Sequence, residues 1–335
     1  MRHPFRLSIA LIVALVVTIN SAFAQENVAM AALPIAEVEK KAQEGDSEAM
    51  VDLGLRYRWG AYGANKDIKK AVSYLEQAVA KENTKAMVQL AELYLIGREA
   101  EEDLEKAREL LEKAVEKGDT GAMANLGELY YEGGEGVEKD LGKAKELWEK
   151  AAEGGNVMAM FSLGAMYAAG DAVEKDAKKA EEWFEKAAEQ GGAMLMMLIG
   201  TIYAAGDGFI GEGFAVEKDL DKADEWFTKA AEKGGAFIML AIAEMYAEGD
   251  EMGTGMEPDL EKAREWYTKL LDYAEAGKVD RDQMMACQWF IDLLKEVDDE
   301  EYTKEFIKGV KKAIAKLDGE EDDEDEDEDD EDDEE

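Results

Sequence analysis

A tyrosine recurs along this chain at nearly constant intervals. The six tyrosines are separated by 37, 36, 37, 36 and 43 residues, and they are Tyr57, Tyr94, Tyr130, Tyr167, Tyr203 and Tyr246. A series of alanines advances in step with them, as Ala71, Ala107, Ala144, Ala180, Ala223 and Ala263. Two series that advance together indicate six copies of one unit, and self-similarity at this period is typical of repeat folds.

Each copy contains two segments with helical periodicity, which we call helix A and helix B. In the fourth copy, helix A lies in AMFSLGAMYAAG, residues 159–170, and helix B in DAKKAEEWFEKAAEQGG, residues 176–192. Ala159, Leu163 and Tyr167 recur every four residues and therefore share one helix face. An aspartate precedes helix B in every copy, at Asp67, Asp103, Asp140, Asp176, Asp219 and Asp259. We interpret these aspartates as caps for the amides of the first turn, not as calcium ligands.

The pattern LGxMYxxG followed by KDxxKAxxWFxKAAEQG resembles the Sel-one-like repeat, an α-helical relative of the tetratricopeptide repeat. The resemblance implies an all-α fold, a right-handed α-α superhelical solenoid of helix-turn-helix repeats. It also implies a role as a scaffold or adaptor for protein partners. The six repeats are expected at residues 47–83, 84–119, 120–155, 156–192, 193–235 and 236–277.

The N-terminal segment differs from the repeats. Two arginines in MRHPFR precede an apolar run, Leu7 to Ile19, and the small-x-small sequence AFA ends at Ala24. This order is typical of a secretory signal peptide, residues 1–24, that is cleaved after Ala24. The run is shorter than the roughly 20 residues of a membrane-spanning helix, although an uncleaved anchor is the alternative. The prediction is a periplasmic or secreted protein.

The remaining segments flank the repeats. Residues 25–33 are expected to form a linker, residues 34–46 an N-terminal capping helix and residues 278–317 C-terminal capping helices. Sixteen consecutive acidic residues, 320–335, predict a disordered acidic tail over residues 318–335. Three interpretations of the tail stay open: a solubilising brush, capture of basic proteins or weakly bound calcium, and contact with the lysine-rich final helix.

Residue usage argues against catalysis. The only histidine, His3, lies in the predicted signal peptide, and the only cysteine is Cys287. Histidine-based nucleophile pairs, histidine metal sites and an internal disulfide are therefore excluded from the mature chain. The net charge of −40 repels nucleic-acid phosphates and anionic membranes. We predict no enzyme, no cofactor and no metal, and the enzymatic alternative is chemistry based on paired carboxylates or on lysine.

Two further motifs have structural interpretations. A methionine occupies the same helix A position in all six repeats, at Met50, Met87, Met123, Met160, Met196 and Met239. Neighbouring helices lie about 8–10 Å apart, so these sulfurs are expected to pack in the core and not to converge on a soft metal. GDGFIG, residues 206–211, follows a helix and lacks the preceding strand that a nucleotide-binding loop requires.

Repeats five and six differ from the other repeats. Their A–B loops are longer and contain apolar residues, and their A helices are apolar on nearly all sides, as expected for a covered helix. From this we predict a partner-binding surface, helix-in-groove in type, at Leu198, Phe209, Ile210, Phe214, Met252 and Met256. Two alternatives stay open: the loops cover their own repeats, and the groove is filled by residues 281–317 or by a second copy.

The function predicted from the sequence is an extracytoplasmic scaffold that binds protein or peptide partners through its groove and through the loops of repeats five and six. The alternative is a polyanionic buffer or chaperone-like protein. In that case the acidic tail would bind basic proteins or, weakly, calcium.

Overall fold

The computed structural model describes residues 33–97, 103–206, 216–249, 256–279 and 299–317. Over these ranges the regular secondary structure is helical. In chain order the helices are α1 (Ile35–Gln43), α2 (Ser47–Trp59), α3 (Ile68–Val79), α4 (Thr84–Ile96), α5 (Leu104–Glu116), α6 (Thr120–Glu132), α7 (Leu141–Glu153), α8 (Val157–Ala169), α9 (Ala177–Ala205), α10 (Leu220–Glu248), α11 (Leu260–Glu275) and α12 (Asp299–Leu317). The predicted signal peptide, linker and acidic tail lie outside the described residues, apart from Leu33.

Helices A and B alternate along the chain. The A helices of repeats one to four are α2, α4, α6 and α8, and α3, α5 and α7 are the B helices of the first three repeats. Within each of these three repeats A packs against B, and B packs against the A helix that follows. Stacking of such pairs gives each apolar face a neighbour and forms a continuous core.

The same hydrogen-bond pattern stabilises every A–B turn. In all six repeats the backbone N–H of the aspartate donates to the carbonyl of the recurrent tyrosine, at 2.7–3.2 Å. The aspartate side chain accepts from the amide three residues later, at 3.0–3.1 Å. The capping role predicted for these aspartates is therefore confirmed. Each turn thus fixes the end of helix A and the start of helix B with two residues.

A small residue on helix A allows an aromatic side chain of helix B to approach closely. A Cβ atom added at Gly127 would lie 2.5 Å from Nε1 of Trp148, and one at Gly164 would lie 2.6 Å from Cδ1 of Phe184. Trp148 is buried and donates to the carbonyl of Ala124 at 3.2 Å. The glycines are therefore required by packing, since any larger residue would displace the ring.

In the later repeats, glycines replace the turn between one B helix and the next A helix. The span α9 contains two helices that meet at a kink at Gly192, which has φ 70° and ψ −161°, and α10 contains two helices that meet at a kink at Gly235, which has φ 61° and ψ −147°. This backbone region is accessible almost only to glycine. At Gly235 the chain therefore changes direction without an intervening loop.

The described residues fall into two compact units, residues 33–190 with Val216, and residues 191–206 with 217–317, each with the gaps given above. In the first unit α1 packs on α2, and Tyr57 donates to Oε1 of Glu39 at 3.0 Å. In the second unit α12 packs on α11, and Lys311 Nζ lies 3.0 Å from Glu275 Oε1. Each unit therefore has a helix outside the repeats packed against it. The predicted helix at residues 281–297 lies outside the described residues.

Candidate functional site

A line of polar side chains crosses the A helices of the first three repeats. Nη1 of Arg58 on α2 lies 3.5 Å from Oε2 of Glu92 on α4. Nδ2 of Asn125 on α6 lies 3.5 Å from the other oxygen of Glu92. Gln89, one turn before Glu92, donates to the same carboxylate at 3.2 Å. Three successive repeats are thus joined by one hydrogen-bonded group of side chains.

We call this surface the A-helix face. It is defined by Arg58, Trp59, Gln89, Glu92, Asn125, Glu128 and Glu132. These residues stand at only four positions of the A helix, the sixth, ninth, twelfth and thirteenth, so they recur on the same side of successive helices. In repeat proteins the side-by-side A helices form the extended surface to which partners bind.

Burial shapes the electrostatics of this face. The guanidinium of Arg58 is buried, while the Glu92 side chain is 29% exposed. Burial raises the pKa of Glu92, and Arg58, Asn125 and Gln89 oppose that rise by stabilising the charged form. The negative charge of Glu92 is therefore balanced by the guanidinium of Arg58.

Glu128 on α6 stands at the same helix position as Glu92 but has a different environment. Burial, supplemented by the negative charge of Glu132, raises the pKa of Glu128 to about 8. Burial also raises the pKa of Glu132, and Lys139 opposes that rise. Beside them Tyr131 donates to Oδ2 of Asp171 at 2.7 Å. This end of the A-helix face thus holds two carboxylates one turn apart, of which Glu128 is partly buried and Glu132 is exposed.

The other end of the A-helix face carries an exposed aromatic residue. Trp59 is 56% exposed, and the guanidinium carbon of Arg58 lies 4.8 Å from the centroid of its ring. Tyr62, in the loop that follows, is 63% exposed, and the guanidinium of Arg56 lies 5.5 Å from its ring centroid. Tryptophan, tyrosine and arginine are the residue types enriched among the side chains that contribute most to binding, so Trp59 is a candidate anchor.

Sequence reasoning did not identify this aromatic pair. The available signal was Trp59 itself, because the equivalent residues of the next three repeats are Ile96, Glu132 and Ala169.

The structure describes only two of the predicted partner-binding residues. Leu198 and Met256 are both buried, each with 4% exposure. Phe209, Ile210, Phe214 and Met252 lie outside the described residues. Every residue from 193 to 206 is buried or partly buried, so the apolar A helix of repeat five is largely covered. The partner-binding role of these six residues stays a prediction.

Met50, Met87 and Met160 are buried in the core, and the other three methionines of the series are partly buried. Over residues 33–97, 103–206, 216–249, 256–279 and 299–317, no group of three or more His, Cys, Asp or Glu side chains is placed to hold a metal ion. In the same part of the chain, no helix combines the length and apolarity needed to cross a membrane.

Comparison with known proteins identifies the repeats. The Sel1 repeat profile matches six segments, residues 47–83, 84–119, 120–156, 157–192, 197–235 and 238–272. The chain belongs to the Sel1 repeat family. The resemblance deduced from the sequence is therefore confirmed, as is the prediction of an all-α fold of helix-turn-helix repeats. No curated protein sequence matches the chain.

Solved Sel1 repeat structures are similar to this protein. The protective antigen c5321 of uropathogenic Escherichia coli, which displays an SLR fold, is 26% identical with a TM-score of 0.50. The match covers 85% of this chain and 58% of the antigen, so the chain spans less than two thirds of the antigen's length. A Sel1 repeat protein from Oxalobacter formigenes is also 26% identical, with a TM-score of 0.49, over 77% of this chain and 98% of that protein.

Membership of the Sel1 repeat family gives the function in outline. Sel1 repeat proteins generally mediate protein–protein interactions, and the repeat is generally a non-enzymatic scaffold. Proteins of this kind are often extracytoplasmic.

Proposed function

We propose that this Sel1 repeat protein is an extracytoplasmic scaffold whose A-helix face binds a protein or peptide partner. The observation that carries the proposal is the line of polar contacts from Arg58 through Glu92 to Asn125, with Trp59 exposed at its end. The widened loops of repeats five and six would add a second contact through Phe209, Ile210, Phe214 and Met252.

The residue types on the A-helix face support this assignment. Tryptophan and arginine are the residues in which binding energy is most often concentrated. Arg58 is already buried and ordered, so little side-chain entropy is lost when a partner docks on Trp59. The polar groups around Glu92 hydrogen-bond to one another. The exposed ring of Trp59 is therefore the group whose burial by a partner would contribute most to the binding free energy.

Capture of partners by the full chain tests the proposal. The immobilised protein is incubated with the extracytoplasmic fraction, and bound proteins are quantified by mass spectrometry. Trp59→Ala should reduce capture of the partner by about tenfold or more. The matched control is Trp183→Ala, which removes a partly exposed tryptophan from a B helix in repeat four. Equal losses in the two variants, or none in either, would exclude the A-helix face.

Two further measurements examine the remaining parts of the proposal. Phe209→Ser should also weaken capture if the repeat-five loop touches the partner, and undiminished capture removes the loop from the proposal. Mass spectrometry of the protein isolated from its native host should show Gln25 as the first residue. An intact Met1 would contradict cleavage of a signal peptide.

The acidic tail supports a second candidate function, since sixteen consecutive acidic residues attract basic proteins and cations. A chain that ends at Leu317 separates the two functions. If the repeats bind the partner, capture and its dependence on Trp59 survive removal of the tail. If the tail is the binding element, both capture of basic proteins and calcium uptake are lost.

A further inference from the structure

The repeats provide an internal comparison for the carboxylates of the A-helix face. Glu92 and Glu128 both occupy the ninth position of their A helices, in repeats two and three. On the side of the preceding repeat, Glu92 meets Arg58, which occupies the twelfth position of its own helix. The residue at that twelfth position before Glu128 is Leu95. Register therefore places a leucine beside Glu128 where Glu92 has a guanidinium.

The opposite side differs in the same way. Glu92 accepts from Asn125 of the following repeat, at the sixth position of its helix. The sixth position of the repeat after Glu128 is Ser162, which is buried. In the described part of the chain, no hydrogen bond or ion pair joins the Glu128 carboxylate to another residue. Glu92 thus has a guanidinium on one side and a side-chain amide on the other, and Glu128, its equivalent in the next repeat, has neither.

Glu132 adds charge to the same place. It lies one helical turn after Glu128, so both carboxylates lie on one side of α6. Lys139, the cation that acts on Glu132, also lies over the ring of Tyr131, with Nζ 5.0 Å from the centroid. Glu128 is partly buried and Glu132 is exposed, so a guanidinium can reach both carboxylates from solvent. Two like charges one turn apart disfavour each other's ionised form, and a cation between them would relieve that repulsion.

We propose that Glu128 and Glu132 form a subsite for an arginine side chain of the bound partner, which takes the place that Arg58 takes beside Glu92. This inference rests on the proposed function and specifies it: the partner is a peptide segment that carries an arginine. A guanidinium suits the place because it can donate to two carboxylates from one planar group. The same arrangement recurs at Glu244 and Glu248 in repeat six, where Ala204 stands at the position of Arg58.

A pair of peptides tests the subsite. The probe is acetyl-Gly-Arg-Gly-amide at millimolar concentration, and its neutral isostere carries citrulline in place of arginine. Carbon-13 resonances of the glutamate carboxyls are recorded on the full chain and assigned with Glu128→Gln. The arginine peptide should shift the Glu128 resonance and lower its pKa, while the citrulline peptide does neither. Equal shifts with the two peptides, or no shift with either, would overturn the proposal.

Matched variants control for the general attraction of cations to an acidic protein. Glu128→Gln should abolish the peptide-induced shift at Glu132. Glu174→Gln, which removes one exposed carboxylate from the loop of repeat four, should leave that shift intact. If the two variants behave alike, the peptide is bound by net charge alone, and the subsite does not exist.

A variant that fills the subsite from within gives an independent test. Leu95→Arg places a guanidinium in the register that Arg58 occupies, so it should lower the pKa of Glu128 and compete with the arginine peptide. Leu95→Gln, similar in length but neutral, should do neither. An unchanged Glu128 pKa in Leu95→Arg would show that the two repeats are not equivalent at this place.

The two proposals fail separately. If Trp59-dependent capture persists but the arginine peptide shifts nothing at Glu128, the A-helix face stands and the subsite falls. If the peptide binds as expected but no partner depends on Trp59, the subsite stands and the proposed scaffold function falls.

Discussion

At the scale of single residues, the aspartate at each A–B turn is used twice. Its amide holds the carbonyl of the tyrosine that ends helix A, and its carboxylate caps helix B. A lysine three residues later places its ammonium group over the ring of the same tyrosine in repeats one to five, at 4.8–5.5 Å. The recurrence of Asp, Lys and Tyr along the chain therefore has a local structural cause.

The cap at Asp67 can be tested by substitution. Asp67→Ala removes the acceptor for the amide of Lys70, so the free energy of unfolding should fall by about 1 kcal/mol. Asp67→Asn keeps a side-chain oxygen at the cap and should lose less. Urea denaturation of the three proteins measures the difference. If the alanine and asparagine variants are equally stable, hydrogen bonding at the cap is not what stabilises helix α3.

The raised pKa of Glu128 makes a prediction about pH. The folded protein holds this proton more tightly than the unfolded chain does, so the resulting stability is present at low pH and is lost as pH rises through about 8. Glu128→Gln cannot ionise. As pH rises from about 5 to about 9, the wild type loses this stability and the variant does not. The free energy of unfolding of Glu128→Gln relative to the wild type should therefore rise by at least about 1 kcal/mol over this range.

Thermal and urea denaturation across this pH range check the gain, and Glu174→Gln is the control at an exposed glutamate. The same rise in both variants would trace the effect to the net charge and not to the burial of Glu128.

At the scale of helices, packing between A and B depends on one small residue per repeat. Gly127 faces Trp148, and Gly164 faces Phe184. Repeat two has Ala91 at the position of these glycines and Leu111 at the position of the aromatic residues, and both are buried. The small residue of helix A and the large residue of helix B therefore have to be considered together.

Gly127→Ala should lower the free energy of unfolding by about 1–3 kcal/mol, because the added methyl group displaces the buried Trp148 ring. Gly142→Ala is the matched control on helix α7. Its added Cβ would approach no atom closer than 3.4 Å, so it should raise stability by up to about 1 kcal/mol. Urea denaturation measures both. If the two substitutions change the free energy of unfolding by similar amounts, the higher helix propensity of alanine outweighs the contact between Gly127 and Trp148.

The features that could be predicted from the sequence are the local ones. The aspartate cap acts over three residues, and the tyrosine and alanine series share one helix face, so spacing alone indicates both. The contact of Arg58 with Glu92 spans 34 residues and depends on the register between two A helices, which spacing within one repeat does not determine. The exposure of Trp59 depends in the same way on what lies beyond its own helix.

At the scale of the whole molecule, the protein is an acidic Sel1 repeat chain, and we propose that its A helices form the binding face. Its negative charge favours basic partners and increases their rate of encounter at low salt. We expect the residues in which the A helices differ to determine which partner binds. Repeats one to three carry the polar contacts and Trp59, and repeats five and six carry the apolar A helices.

Site-specific photo-crosslinking tests the central claim most directly. A benzophenone amino acid is placed at position 59 on the A-helix face, and in a second protein at position 183 on a B helix. Each full-length protein is irradiated with the extracytoplasmic fraction. The account predicts a discrete crosslinked partner from position 59 and none from position 183. A partner that crosslinks at 183 and not at 59 would contradict binding through the A-helix face.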